Sequence, residues 1–400
     1  MKFKLKKGLT FISLFLALFI SFGVLSNRQN TLKVIHVGDF TSPKICHNVT
    51  VVDDNNIVIL GGYNNFSDSD SNYAEIFNLE KQNSSNLFKS NFNNKYGNYA
   101  FVHALCNSKN NEGTICNNKK SIINIQPIKL KQDDKYGIEI YNFDTRKLSL
   151  IQTVLIPRGG KESPVYYKSE DNIYISGGYQ FNNNVYVSKF ENVSLDNYKI
   201  KIIDTFGIEK AGIYSGILFG GIYNSMPQLQ AISLKTKKTI ATLHSQVLNP
   251  KLYFLEYHLL AVDGPEIIVV DTTNPENPDI QRIILSDLPA IYERVSLPVQ
   301  IPKILNKYAI ESAIQADDYN ILFVFNKNGK RYIAKYFVGG GKLEILGYYK
   351  SAYKFPKYVY INQKLYIIGG AAGLNDTFKC GDEIPEDADV SNSIYEILIN

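Results

Sequence analysis

Four cysteines, five histidines, a tract of carboxylates and a set of loop tyrosines are the residues of this 400-residue chain whose types could do chemistry. The cysteines are Cys46, Cys106, Cys116 and Cys380, an even count that outside the cytoplasm invites disulfides. Cys46 and His47 are adjacent and no Cys/His pair has ligand spacing, so no zinc site is read. His36, His47, His103, His244 and His258 are scattered and read as structural residues rather than ligands. Asp382, Glu383, Glu386, Asp387 and Asp389 crowd one stretch, but their spacing matches no EF-hand loop, which favours an exposed loop over a Ca²⁺ site. No Gly-rich phosphate loop, nucleophile elbow or paired-carboxylate signature is present, so no catalytic residue, metal or cofactor is assigned. Tyr63, Tyr179, Tyr223 and Tyr348 are the candidate binding residues. Aromatic rings in loops can stack on sugars or anchor a protein partner, or they can simply cover their neighbours.

Composition narrows the partner class. The chain has 43 basic and 38 acidic side chains, a net charge of +5. Lys2, Lys4, Lys6 and Lys7 lie in residues 1–26 with no acid, so the remainder is at 39 against 38. A body so nearly neutral has no electrostatic reason to seek nucleic acid. The four lysines precede an apolar stretch from Leu9 to Leu25, the pattern of an export signal. As a helix that stretch would rise about 26 Å, slightly short of a hydrocarbon core of roughly 30 Å, so a cleaved signal and a retained anchor both fit. Lysines on its N-terminal side place the rest of the chain outside the cytoplasm. Membrane contact is expected through residues 1–26 alone.

The rest must be built from strands. Twenty-eight Tyr and 22 Phe with 2 Met favour a pleated surface over helices. One pattern recurs: an apolar run, then Gly-Gly, usually then an aromatic. It occurs as Ile57 to Leu60 with Gly61-Gly62 and as Ile173 to Ser176 with Gly177-Gly178. It returns as Ile217 to Phe219 with Gly220-Gly221 and as Leu365 to Ile368 with Gly369-Gly370. Gly178 and Gly221 stand 43 positions apart, and a weak copy ending at Gly264 follows after 43 more. The intervals of 116 residues before Gly178 and 106 after Gly264 each leave room for one further unit. The first of these would use Tyr99–Leu105, Ser121–Ile125, Gly137–Phe143 and Leu148–Leu155. The second would use Asn320–Phe325 and Arg331–Phe337, joined through Asn328-Gly329, a strong hairpin signal.

These repeats resemble the kelch family of β-propellers, across residues 32–400. The aromatic-rich third strands Tyr73 to Asn78 and Ile138 to Asp144 add to the likeness, as do His47 and His103 at innermost-strand positions. The chain departs from the family in lacking Trp. The resemblance implies an all-β propeller with four-stranded blades: seven by count, six if the second or sixth unit is an embellishment. The last unit runs out of chain after three strands, and the strand Leu32–Val37 is expected to complete it and close the ring. In that arrangement Cys46 and Cys380 share one face of neighbouring blades. Cys106 and Cys116 flank a loop of about 11 residues, so the expected pairs are Cys46–Cys380 and Cys106–Cys116. The family contains both binding scaffolds and carbohydrate-active enzymes, among them a sugar epimerase and a copper oxidase. With no catalytic set in view, a scaffold for a protein or glycan is the first reading and the enzyme the alternative. The charged residues Arg158, Glu162, Glu293 and Arg294 are read as solvated loop positions.

Overall fold

The computed structural model describes residues 30–64, 73–89, the strands between residues 99 and 298 with a few flanking positions, and residues 299–399 apart from 318, 338–339 and 379–381. Side chains are described chiefly for 30–64, 75–85 and the last of these stretches. The expected export segment, Gly177, Gly178, Tyr223, Gly264 and Cys380 lie outside the described residues.

The protein is all-β. Among the described residues, seven antiparallel sheets of four strands follow one another along the chain, one of them with a fifth strand, Glu293–Val295, added in parallel. Within the first six sheets the strands pair in chain order. The first sheet is Asn48–Val51, Asn56–Leu60, Tyr73–Asn78 and Asn83–Lys89; the second runs from Tyr99–Cys106 to Lys147–Gly159. The sixth is Ala309–Gln315, Asn320–Lys327, Lys330–Phe337 and Leu343–Lys350. The seventh takes Lys357–Ile361, Lys364–Ala372 and Asp389–Leu398, and its fourth strand is Lys33–Asp39 from the other end of the chain. Lys33 pairs with Leu398 and Asp39 with Ser393. The outer strand expected to complete the last unit does so.

The leading strands of several neighbouring sheets lie side by side. Asn48–Val51 borders both Tyr99–Cys106 and Lys357–Ile361, and Lys357–Ile361 also borders Ala309–Gln315. Burial explains the order. The second strands of the first, sixth and seventh sheets are buried on both faces, and that of the seventh is packed between two neighbouring sheets. Alternate residues of one strand therefore fill different seams. Leu365 and Ile367 pack with Leu322, Val324 and Ile333 of the sixth sheet. Tyr366 and Ile368 pack with Ile57, Ile59 and Phe77 of the first. The outer strand Lys33–Asp39 is mostly exposed.

Two details differ from the sequence reading. The second strand of the fifth sheet is Glu266–Asp271, paired with Pro250–Leu255, and not the run ending at Gly264. Its residues, Ile267 to Val270, are unbroken and β-branched, the stronger strand former of the two runs. The Gly pairs also do not all end strands. Gly61 and Gly62 follow one, with φ of 64° and 85°. Gly369 and Gly370, at 61° and 108°, sit inside Lys364–Ala372 at a register shift, and Gly220-Gly221 lies inside Ile217–Ile222. A bulge needs the same left-handed freedom as a turn.

Candidate binding cleft

A cleft of about 1140 Å³ opens between the sixth and seventh sheets. Its walls are the Asn326–Gly329 turn, the connection Lys350–Lys357 between the sheets, and the loop carrying Asn375, Asp376 and Phe378. Asn328-Gly329 forms the expected hairpin: Lys327 faces Lys330, and φ is 50° and 76° at the two turn residues.

The floor is an ionic network. Arg331, 1% exposed, donates from Nε to Glu311 Oε2 at 2.6 Å and from Nη2 to Glu311 Oε1 at 2.9 Å, a two-pronged pair. Its Nη1 donates to the Ser351 carbonyl at 2.8 Å and its Nη2 to the Tyr353 carbonyl at 2.5 Å. The Tyr358 hydroxyl donates to Glu311 Oε2 at 2.9 Å and lies 2.9 Å from the Tyr349 hydroxyl. Burial works against the charge of Arg331, yet its bonds to Glu311 outweigh that and hold the guanidinium firmly protonated. Burial likewise pushes the Tyr358 hydroxyl well above its ordinary range. The network fastens the connection between the sheets to the leading strand of the sixth.

Around the rim stand Lys330, Lys350, Lys354 and Lys357. Lys354 bonds Asp376 Oδ1 at 2.6 Å and the Leu374 carbonyl at 2.8 Å. Lys330 Nζ lies 4.2 Å from the Tyr348 ring centre and 4.7 Å from that of Tyr332. Phe355 and Phe378 meet at a tilt of 59° at the opposite wall, centroids 5.6 Å apart.

The sequence candidates fall in several places. Tyr348 is half-buried beside this cleft, its ring 5.4 Å from Tyr332. Tyr63 belongs to the seam of the first and seventh sheets, where its hydroxyl donates to the Asp382 carbonyl at 2.9 Å. Tyr179 pairs with Tyr186 in a two-stranded ladder, and its side chain is outside the described residues, as are those of Arg158, Glu293 and Arg294. Neither Tyr63 nor Tyr348 is among the described residues that line the cleft. Cys46 also lines the cleft; it is disulfide-bonded, and the sulfur it pairs with lies outside the described side chains. It packs with Leu374, Phe378 and Ile384, the residues on either side of Cys380. Cys106 and Cys116 face each other as register partners. Among the described residues no cluster of three His, Cys, Asp or Glu is arranged to hold a metal, and no helix is long and apolar enough to cross a membrane.

Sequence reading missed the lysine rim and the Glu311–Arg331 network. The signal was present in Lys350-Ser351-Ala352-Tyr353-Lys354-Phe355-Pro356-Lys357, three lysines interleaved with two aromatics in one connection. Compared with protein-family models the chain matches none, and a search of curated proteins finds none similar to it.

Proposed function

We propose that residues 32–400 form a kelch-like β-propeller of seven blades, closed by the N-terminal strand, that acts outside the cytoplasm as a binding scaffold for a protein or glycan. Residues 1–26 deliver it there, as a cleaved signal or a membrane anchor. The leading strands that lie side by side, and the first strand completing the last sheet, support a ring of blades. The observation that carries the scaffold reading is the state of the cleft floor. Glu311 and Arg331 satisfy each other, and the remaining Arg331 donors bond main-chain carbonyls. Groups so committed shape a surface; they are poorly placed to move protons to a ligand. Two disulfides, Cys46–Cys380 and Cys106–Cys116, complete the proposal.

The test is a glycan-array and metal-ion screen on the purified full-length protein, with recovered ligands analysed for conversion. Saturable binding with the ligand unchanged is the expected outcome. Conversion of a bound sugar, or tight copper binding, would replace the scaffold with an enzyme.

A further inference from the structure

Resting on the scaffold reading, the geometry points to the cleft between the sixth and seventh sheets as a site for an acidic oligosaccharide, one whose sugar units carry carboxylates. Charge selects the sign of the ligand. Among the described residues, Lys330, Arg331, Lys350, Lys354 and Lys357 line the cleft with two carboxylates, Glu311 and Asp376. Both carboxylates already bond a cation, Glu311 at 2.6 Å and Asp376 at 2.6 Å. Their partners are Arg331 and Lys354, so neither carboxylate pairs with Lys330 or Lys350, the cations an entering anion would meet. Lys350 is exposed and Lys330 is held over two rings, so both are placed at the mouth. Converging field lines in such a concave site raise the local concentration of anions.

The walls select sugar over peptide. An acidic peptide commonly docks by adding its backbone to a free sheet edge or loop. The connection between the sheets has little left to offer one. Ser351 donates its N–H to the Gly329 carbonyl and its own carbonyl accepts from Arg331. Tyr353 donates its N–H to Ser351 Oγ and its carbonyl also accepts from Arg331. Lys354 exchanges both main-chain bonds with Ala371, and the Leu374 carbonyl accepts from Lys354 Nζ. Recognition must come from side chains. Those present are the rings of Tyr353 and Phe355, the amides of Asn328 and Asn375, and ammonium groups. Aromatic faces suit the C–H faces of sugar rings, amides suit paired hydroxyls, and ammonium groups suit carboxylates. At about 1140 Å³ the cleft exceeds the space of a typical small-molecule pocket, which fits several sugar units rather than one.

The test uses the full-length protein in calorimetric titrations with a short oligogalacturonate, a neutral glucan of equal length and an oligoglutamate. The oligogalacturonate should bind, and binding should weaken about tenfold from low to high salt as the charges are screened. Lys350→Ala should weaken it about fivefold with the melting temperature unchanged, Lys330→Ala should weaken it by a similar factor, and Lys350→Glu should abolish it. Equal binding of the neutral glucan, tighter binding of the oligoglutamate, or indifference to Lys350→Glu would overturn the assignment. If another ligand from the screen binds while the oligogalacturonate does not, this site fails and the scaffold stands. If no ligand binds at all, both fail.

Discussion

His47 has no room on any side. A methyl group on Gly62 would sit 2.9 Å from its Cβ, and one on Gly369 would sit 2.7 Å from its Cε1. Phe40 covers the ring at 5.8 Å between centroids, and Nδ1 donates to the Lys44 carbonyl at 3.1 Å. The Gly pairs of the first and seventh sheets thus leave space for one imidazole at their shared seam. Burial, with Lys357 and Lys44 nearby, lowers its pKa from 6.5 to about 3, while backbone groups of Lys44 and Ile368 oppose the shift only weakly. The folded protein therefore keeps His47 neutral where the unfolded chain protonates it. Between pH 6.5 and about 3 the unfolded state binds the extra proton, so stability falls as pH drops through that window, by up to about 1.4 kcal/mol per pH unit. Above pH 6.5 the residue adds no pH dependence. Urea denaturation from pH 7 to pH 4 should show this slope, and His47→Gln should be shallower by about one proton. An unchanged slope in the variant would place the acid sensitivity elsewhere. Close by, Lys44 and Glu75 form an ion pair at 2.8 Å with both side chains fully buried. Burial lowers the Lys44 pKa against the pull of Glu75, a pairing that fixes register at the seam at a cost in desolvation.

At the scale of elements, the N-terminal segment binds two sheets together. Leu32 donates its N–H to the Tyr348 carbonyl at 2.7 Å, and Tyr348 donates to the Asn30 carbonyl at 3.0 Å. Leu32 itself is buried among Leu322, Val324 and Ile333, and the chain then runs directly into the outer strand of the seventh sheet. Gly347 permits this approach, since a Cβ there would lie 2.6 Å from the Asn30 carbonyl oxygen and 2.6 Å from Leu32 Cδ2. Gly347→Ala should lift the segment off and cost about 1–3 kcal/mol. Hydrogen exchange at the Leu32 amide should quicken with it; exchange as slow as in the wild type would show that the segment does not depend on this glycine. Nothing in the sequence marked that role, because a glycine whose neighbour is over 300 residues away looks like any strand glycine. What could be read was local. Asn328-Gly329 spells its own turn, whereas Asn362-Gln363 makes a similar one, with φ of 50° and 62°, and carries no glycine to announce it. The strands were legible because apolar runs and turn residues alternate along the chain. The cleft was not, because Glu311, Arg331 and Tyr358 meet only once register and sheet order are set.

At the scale of the whole molecule, strands from the two ends of the chain meet inside the seventh sheet, beside its seam with the first. From Lys33–Asp39 the short stretch 40–47 carries the chain straight into the first sheet. The pairing of Lys33–Asp39 with Asp389–Leu398 closes the seventh sheet, and the Tyr63–Asp382 bond and the apolar cluster around Ile45, Leu374 and Phe378 hold its seam with the first. Cys46 sits at its centre in a left-handed conformation, φ 57°, that turns the chain from the seventh sheet into the first. Cys46 and Cys380 are more than 300 positions apart, so a bond between them would constrain the unfolded chain strongly, by about 6 kcal/mol in the chain-entropy model. The short Cys106–Cys116 loop would contribute about 3 kcal/mol on the same basis. Cys46→Ser should therefore cost clearly more stability than Cys106→Ser, and reduction of the wild type should cost at least as much as either. Non-reducing peptide mapping should recover Cys46 linked to Cys380. Alkylation of all four thiols without reductant would remove both bonds. A Cys46→Ser variant as stable as the wild type would mean that strand pairing and apolar packing alone hold the seam.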